Sequence, residues 1–124
     1  MQDILEGMAA ALERRPHLLR LGRFVQDTVL IRLDDGREWF LHYQDGHIAH
    51  VEEGPSRKTP WRFGIVTDRA ALDAFWQPIP EPGFHDLFGL AKIGRARIEG
   101  DILALVKTLR FHKEVLALPR GMRS

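Results

Sequence analysis

Three histidines, His42, His47 and His50, crowd one short stretch, and a fourth stands beside an acid as His85-Asp86. Imidazoles placed this way raise two chemistries. A metal centre needs three or four converging donors; acid–base catalysis needs a histidine within hydrogen-bond reach of its partner. Asp45-Gly46 lies between the histidines and reads as a two-residue hairpin turn, since both residue types tolerate positive φ. Across such a turn Gln44 faces His47, His42 faces Ala49 and Leu41 faces His50. His42 and His47 are then expected on one face, and His50 on the other with Leu41, Tyr43 and Ile48, so three ligands do not converge. At His85-Asp86 the adjacent side chains point apart in most conformations, and Asp86 fits better as a cap for the turn at Leu87-Phe88. Nucleophilic catalysis has little to work with. There is no cysteine, and the only serines are Ser56 in a loop and Ser124 at the end, neither in a Gly-x-Ser-x-Gly elbow. Phosphate-cradling loops are absent too. No catalytic residue, metal or cofactor is expected, and the chain is expected not to be an enzyme.

The elements that hold these residues can be read from periodicity. Asp3 and Glu6 have capping-box spacing, and Ile4, Met8, Ala11 and Leu12 recur on one helical face. Pro16 should stop that helix and open a short second one through Leu18, Leu19 and Leu21, closed by Gly22. Strands are expected at 28–33, 37–44, 47–53 and 61–67, the last with Trp61, Phe63 and Ile65 on one face. Thr67 or Asp68 can cap a helix carrying Ala71, Leu72, Phe75 and Trp76. The proline-rich connector 77–83 stops it, and a short helix or turn comes next at 84–90. Arg95 to Glu99 suits a fifth strand, after which Asp101 caps a final helix through Ile102, Leu103, Leu105, Val106 and Leu109. Helix, four strands in meander, helix, strand, helix is an α+β layout: a five-stranded, mainly antiparallel sheet covered on one face by helices.

With 124 residues, 44% apolar and 28% charged, the chain fits one soluble domain with a real core. Within it, 1–22 reads as an N-terminal helical segment, 24–109 as the core and 110–124 as a basic C-terminal tail. No leader or membrane span is visible, which points to the cytoplasm. Net charge is +1, but residues 92–124 carry eight Lys or Arg against three Asp or Glu. Lys107, Arg110 and Lys113 can steer the protein to an anionic head group, a membrane or a partner protein. Nucleic acid is not expected, because the basic excess is too small.

Apolar surface is in excess. Phe75, Trp76, Phe84, Leu87 and Phe88 crowd a three-proline connector, and the final helix is apolar over more than half its circumference. A plain core, a lined cavity or a dimer interface would each consume that surface.

Gly94-Arg95-Ala96-Arg97-Ile98-Glu99-Gly100-Asp101, with Ile102-Leu103-Ala104-Leu105 directly after it, resembles the Gly-basic-apolar-basic-apolar-x-Gly-Asp signature of the sterol carrier protein type 2 family. Asp45-Gly46 after a Trp-containing strand, the stretch Trp61–Thr67 and the helix from Asp68 are similar to that family too. The resemblance spans roughly residues 24–109. Ala96 is smaller than the family's usual aliphatic, the proline connector looks longer, and Met-x-Ser is missing before Gly94. The resemblance implies a five-stranded sheet covered by helices, with an apolar tunnel for a fatty-acyl, sterol or isoprenoid ligand. Family members act as free carriers, as domains fused to enzymes and as accessory factors in bacterial ubiquinone synthesis. On this reading the chain carries or presents an apolar lipid, as monomer or homodimer. Phe63 and Ile65 are the expected floor of the site; Phe75, Trp76, Phe84, Phe88, Leu105 and Leu109 are its expected lining. The alternative is an assembly module that binds a partner protein or an isoprenoid-quinone intermediate in a biosynthetic complex.

Overall fold

The structure, a computed structural model, describes residues 1–122. Gln2–Leu12 forms α1, which buries Leu5, Met8 and Leu12. The expected capping box does not form. The helix begins two residues earlier, with Met1 at the cap, so Asp3 lies in the first turn and Glu6 instead accepts from Gln2 Nε2 at 3.0 Å. An acid in that turn still meets the positive end of the helix dipole. Pro16–Leu21 forms α2, with the proline at its start, where a missing N–H costs nothing.

Strands β1 (Thr28–Leu33), β2 (Glu38–Gln44) and β3 (His47–Glu53) form the expected meander. Asp45 and Gly46 turn the β2–β3 hairpin at φ 51° and 82°. Strand β4 (Phe63–Thr67) departs from expectation. It does not extend the meander beyond β3 but pairs parallel with β1, Ile31 opposite Ile65, giving the order β3-β2-β1-β4-β5. A parallel pair needs a crossover rather than a hairpin, and 54–62 supplies it. This segment runs across the face opposite the helices. There Gly54 lies against Phe40, and Thr59 donates to Glu52 at 2.8 Å. Gly64 leaves room for Leu30 on the same face, since a Cβ would fall 3.1 Å from it. Leu30 and Phe40 are consequently buried even without helices over them.

The other face meets the helices. Val29, Ile31 and Leu33 of β1, Trp39, Leu41 and Tyr43 of β2, and Phe63 and Ile65 of β4 are all buried there. Asp68 caps α3 (Arg69–Phe75), accepting from Ala71 N–H at 2.8 Å. Asp86 caps α4 (Leu87–Lys92) and Asp101 caps α5 (Ile102–Lys107), each through the N–H three residues on. Edge strand β5 (Arg97–Gly100) pairs antiparallel with β4.

The final helix is two helices. Thr108, at φ −124° and ψ 29°, breaks it into α5 and α6 (Leu109–Leu116), and a 3-10 turn covers Leu118–Met122. Residues 110–122 are therefore structured, unlike the tail expected from their basic composition. Phe111, His112, Val115 and Leu116 point inward and are buried, while Arg110 and Lys113 take the outer side. The i, i+1, i+4, i+5 spacing is that of a helix packed on one face.

Candidate functional site

The sequence singled out histidines first. A bulge shifts the β2–β3 register between His42 and Tyr43, so His42 faces His50 and Leu41 faces Val51. Gln44 faces His47 as expected, but the expected pairings of His42 with Ala49 and of Leu41 with His50 are corrected by that extra residue, which brings His50 round to His42, because one inserted residue re-aims the side chains beyond it. His42 and His50 stack at 5.6 Å between ring centroids. His47 is elsewhere, bonded through Nδ1 to Glu13 at 2.7 Å.

His42 is the centre of a polar chain on the loop-covered face. Its Nδ1 lies 3.1 Å from Thr28 Oγ1 and its Nε2 2.8 Å from Glu52 Oε1, while Glu52 Oε2 accepts from Thr59. The bonds from His42 and Thr59 outweigh the small effect of burial and hold the Glu52 carboxyl below its usual range. This chain ties the crossover to β3, β2 and β1.

His85 is exposed, and among the described residues only its backbone carbonyl is engaged, by Arg120. Asp86 caps α4 and meets Lys113 Nζ at 3.3 Å. Burial pushes its pKa up, but the Gly89 N–H and Lys113 prevail and keep it ionised.

The apolar layer between sheet and helices holds a small enclosed void. Ile31 and Ile65 form its floor, Leu72, Phe75 and the cap residue Trp76 of α3 one wall, and Leu87 and Leu116 the remainder. Its volume is about 10 Å³, near the size that admits one water. Of the residues expected at a site, Ile65, Phe75 and Trp76 meet at this void. Phe63 lies one inward position along β4 and packs on His112, with ring centroids 4.9 Å apart. Leu105 is buried in the same core; Phe84, Phe88 and Leu109 are half-buried at its margin. Leu109 also borders an open apolar groove with Arg110, Lys113 and Glu114. Ile31, Leu72, Leu87 and Leu116 complete the void and were not among the expected residues. Their signal was weak: Leu116 belongs to the stretch that composition marked as a tail.

The void is closed from the C-terminal side. Trp76 Nε1–H donates to the Leu116 carbonyl at 2.8 Å. The Arg120 guanidinium donates to the Phe75 carbonyl at 2.6 and 3.0 Å and to the His85 carbonyl at 3.2 Å, lying 5.1 Å from the Phe75 ring centre. At the other margin, Asp68 is held below its usual pKa by the Ala71 N–H and, against burial, by Arg95. Arg95 in turn lies 5.7 Å from the Phe84 ring centre.

A five-stranded mixed sheet with one parallel pair, a helical layer on one face and an apolar seam between them is the architecture of the sterol carrier protein 2 fold. No family model matches the chain and no curated protein matches it, so the likeness is carried by structure. A crystal structure of sterol carrier protein 2 superposes with a TM-score of 0.74 at 13% identity, covering 95% of this chain and 94% of that one. A Thermus thermophilus protein described as possibly a sterol carrier protein gives 0.76 at 13% identity, over 100% and 89% of the two chains. The ubiquinone synthesis protein UbiJ-SCP2 gives 0.63 at 12%, over 92% and 90%.

Proposed function

We propose that the chain binds an apolar lipid-like molecule without chemistry on it, and transfers or presents it in the cytoplasm. The observation that carries this reading is the void, walled by apolar side chains and closed by two polar ties, one at Leu116 on the end of α6 and one from Arg120 in the 3-10 turn. Ile65, Phe75 and Trp76 make first contact with the ligand. Phe63 and Leu105 extend the floor and roof, and Phe84, Phe88 and Leu109 form the mouth. As described, the space takes no lipid chain, so binding displaces α6 away from the sheet about the break at Thr108. Each methylene removed from water then contributes about 0.8 kcal/mol, and a ligand stabilises the opened form in proportion to its differential affinity for it.

Support for an aqueous carrier also comes from the helices. None among the described residues is long and apolar enough to cross a membrane. Of the three basic residues expected to steer docking, Lys113 is held by Asp86 and Arg110 by Glu114, which leaves Lys107 as the strongest contributor.

Native mass spectrometry of freshly purified protein, combined with titration of palmitate and geranylgeraniol, tests the reading. A bound apolar adduct or saturable uptake is expected. Protein that arrives unliganded and takes up neither refutes it.

One observation favours a second reading, an assembly module. On α5, Ile102, Leu103 and Val106 are 49%, 62% and 51% exposed, an apolar row next to Lys107. That reading predicts a stable oligomer or partner complex broken by Leu103→Glu, with lipid uptake absent.

A further inference from the structure

Among the described residues, five side-chain polar atoms are fully buried with no hydrogen-bond partner: Gln2 Oε1, Trp39 Nε1, Tyr43 Oη and both ring nitrogens of His112. Three of the five belong to two residues in contact. The His112 ring meets Tyr43 edge-on at 5.4 Å between centroids, and Phe63 and Phe111 close round it at 4.9 and 5.2 Å. Buried polar groups are almost always paired, and a pair of neighbours left bare in one apolar seam needs a reason.

Position supplies one. His112 and Leu116 are four apart on α6 and therefore share its inner face. Leu116 closes the void over Ile31 and Ile65. His112 sits one turn back, over Phe63, the next inward residue along β4 from Ile65. The inner face of α6 therefore leads from the void at Leu116 past Phe63 to His112 and Tyr43.

We propose that His112 and Tyr43 form a polar anchor for a neutral oxygen, hydroxyl or carbonyl, on an otherwise apolar ligand; this deepens the carrier reading and rests on it. The chemistry of the two groups selects a neutral oxygen. A neutral imidazole offers one N–H donor and one acceptor, and a phenol offers both. Burial holds the imidazole uncharged at neutral pH and raises the phenol, and the rings packed on His112 from β2, β4 and α6 carry no charge. A carboxylate would arrive there without a counter-charge, at a large desolvation cost.

The experiment compares dodecan-1-ol, dodecan-2-one, dodecane and laurate by tryptophan fluorescence and native mass spectrometry, on the full chain and on His112→Leu and Tyr43→Phe. The wild-type protein is expected to prefer the alcohol and ketone over dodecane and laurate. His112→Leu is expected to weaken the alcohol about tenfold, the value of one hydrogen bond, while leaving dodecane unchanged. Tyr43→Phe, which removes only a hydroxyl, is expected to do the same to a smaller degree and guards against a folding artefact in the first variant. Imidazole ¹⁵N shifts of His112 are expected to move with dodecan-1-ol and to stay with dodecane. If all four probes bind and neither variant changes the alcohol-to-alkane ratio, the anchor is refuted and the carrier reading survives. If none binds, both fall.

Discussion

Replacing His112 with leucine removes two bare ring nitrogens from the core and keeps its volume nearly constant. Each unsatisfied buried polar group costs about 1–3 kcal/mol, so at pH 7.5 the ligand-free variant is expected to be more stable than wild type by at least about 2 kcal/mol. Acid should widen the gap. Burial lowers the His112 pKa from 6.5 to about 4. The unfolded chain therefore takes up a proton at this residue near pH 6.5, while the folded chain resists until about pH 4. Wild-type stability from this source is complete above pH 6.5 and falls as pH drops through that window. The loss approaches about 3 kcal/mol, since each pH unit of separation corresponds to about 1.4 kcal/mol. Below pH 4 both states are protonated and the residue adds no further slope. Urea unfolding monitored by tryptophan fluorescence at pH 7.5, 5.5 and 4.5 measures the difference directly. The carboxylates contribute equally to both proteins and cancel. Parallel stability curves for wild type and variant across that range would refute the buried, uncharged placement of His112.

Other perturbations test the closure and the frame. Arg120→Ala removes the donors to the Phe75 and His85 carbonyls; amide exchange across 109–116 is expected to quicken, with stability lower by about 1–2 kcal/mol. Leu116→Phe places a larger ring in the void, and is expected to reduce lipid uptake in titration at a stability cost of about 1–3 kcal/mol from overpacking. Asp68→Ala deletes the α3 cap and the partner of Arg95, and chemical denaturation should show a loss of about 1 kcal/mol.

Local chemistry was legible where a short motif determines its own geometry. Asp45-Gly46 turned as expected, and Asp68, Asp86 and Asp101 each bond the N–H three residues ahead. Strand order was not local. Nothing within Phe63–Thr67 says whether it joins β3 or β1, because that depends on where the crossover lies against Phe40 and Glu52. The histidine register failed for a similar reason, since one bulged residue near Ala49 leaves no compositional trace. The candidate site was half legible. Ile65, Phe75 and Trp76 lie in plainly amphipathic elements. Leu116 and His112 were hidden because Arg110, Lys113 and Glu114 give their helix a charged composition, although Phe111, His112, Val115 and Leu116 hold a clear inward stripe.

The octapeptide from Gly94 has a use beyond delivering the chain into α5. Its strand β5 is one of the two edges of the sheet, only four residues long, and Gly94 and Gly100 bend the backbone away at φ 77° and 88°. Arg97 and Glu99 pair with each other at 3.1 Å along it. A short, bent, charged border is a poor template for another chain's strand. Under the carrier proposal, uptake would part α6 from the sheet and expose apolar surface, and this border would deny neighbouring copies an easy place to polymerise.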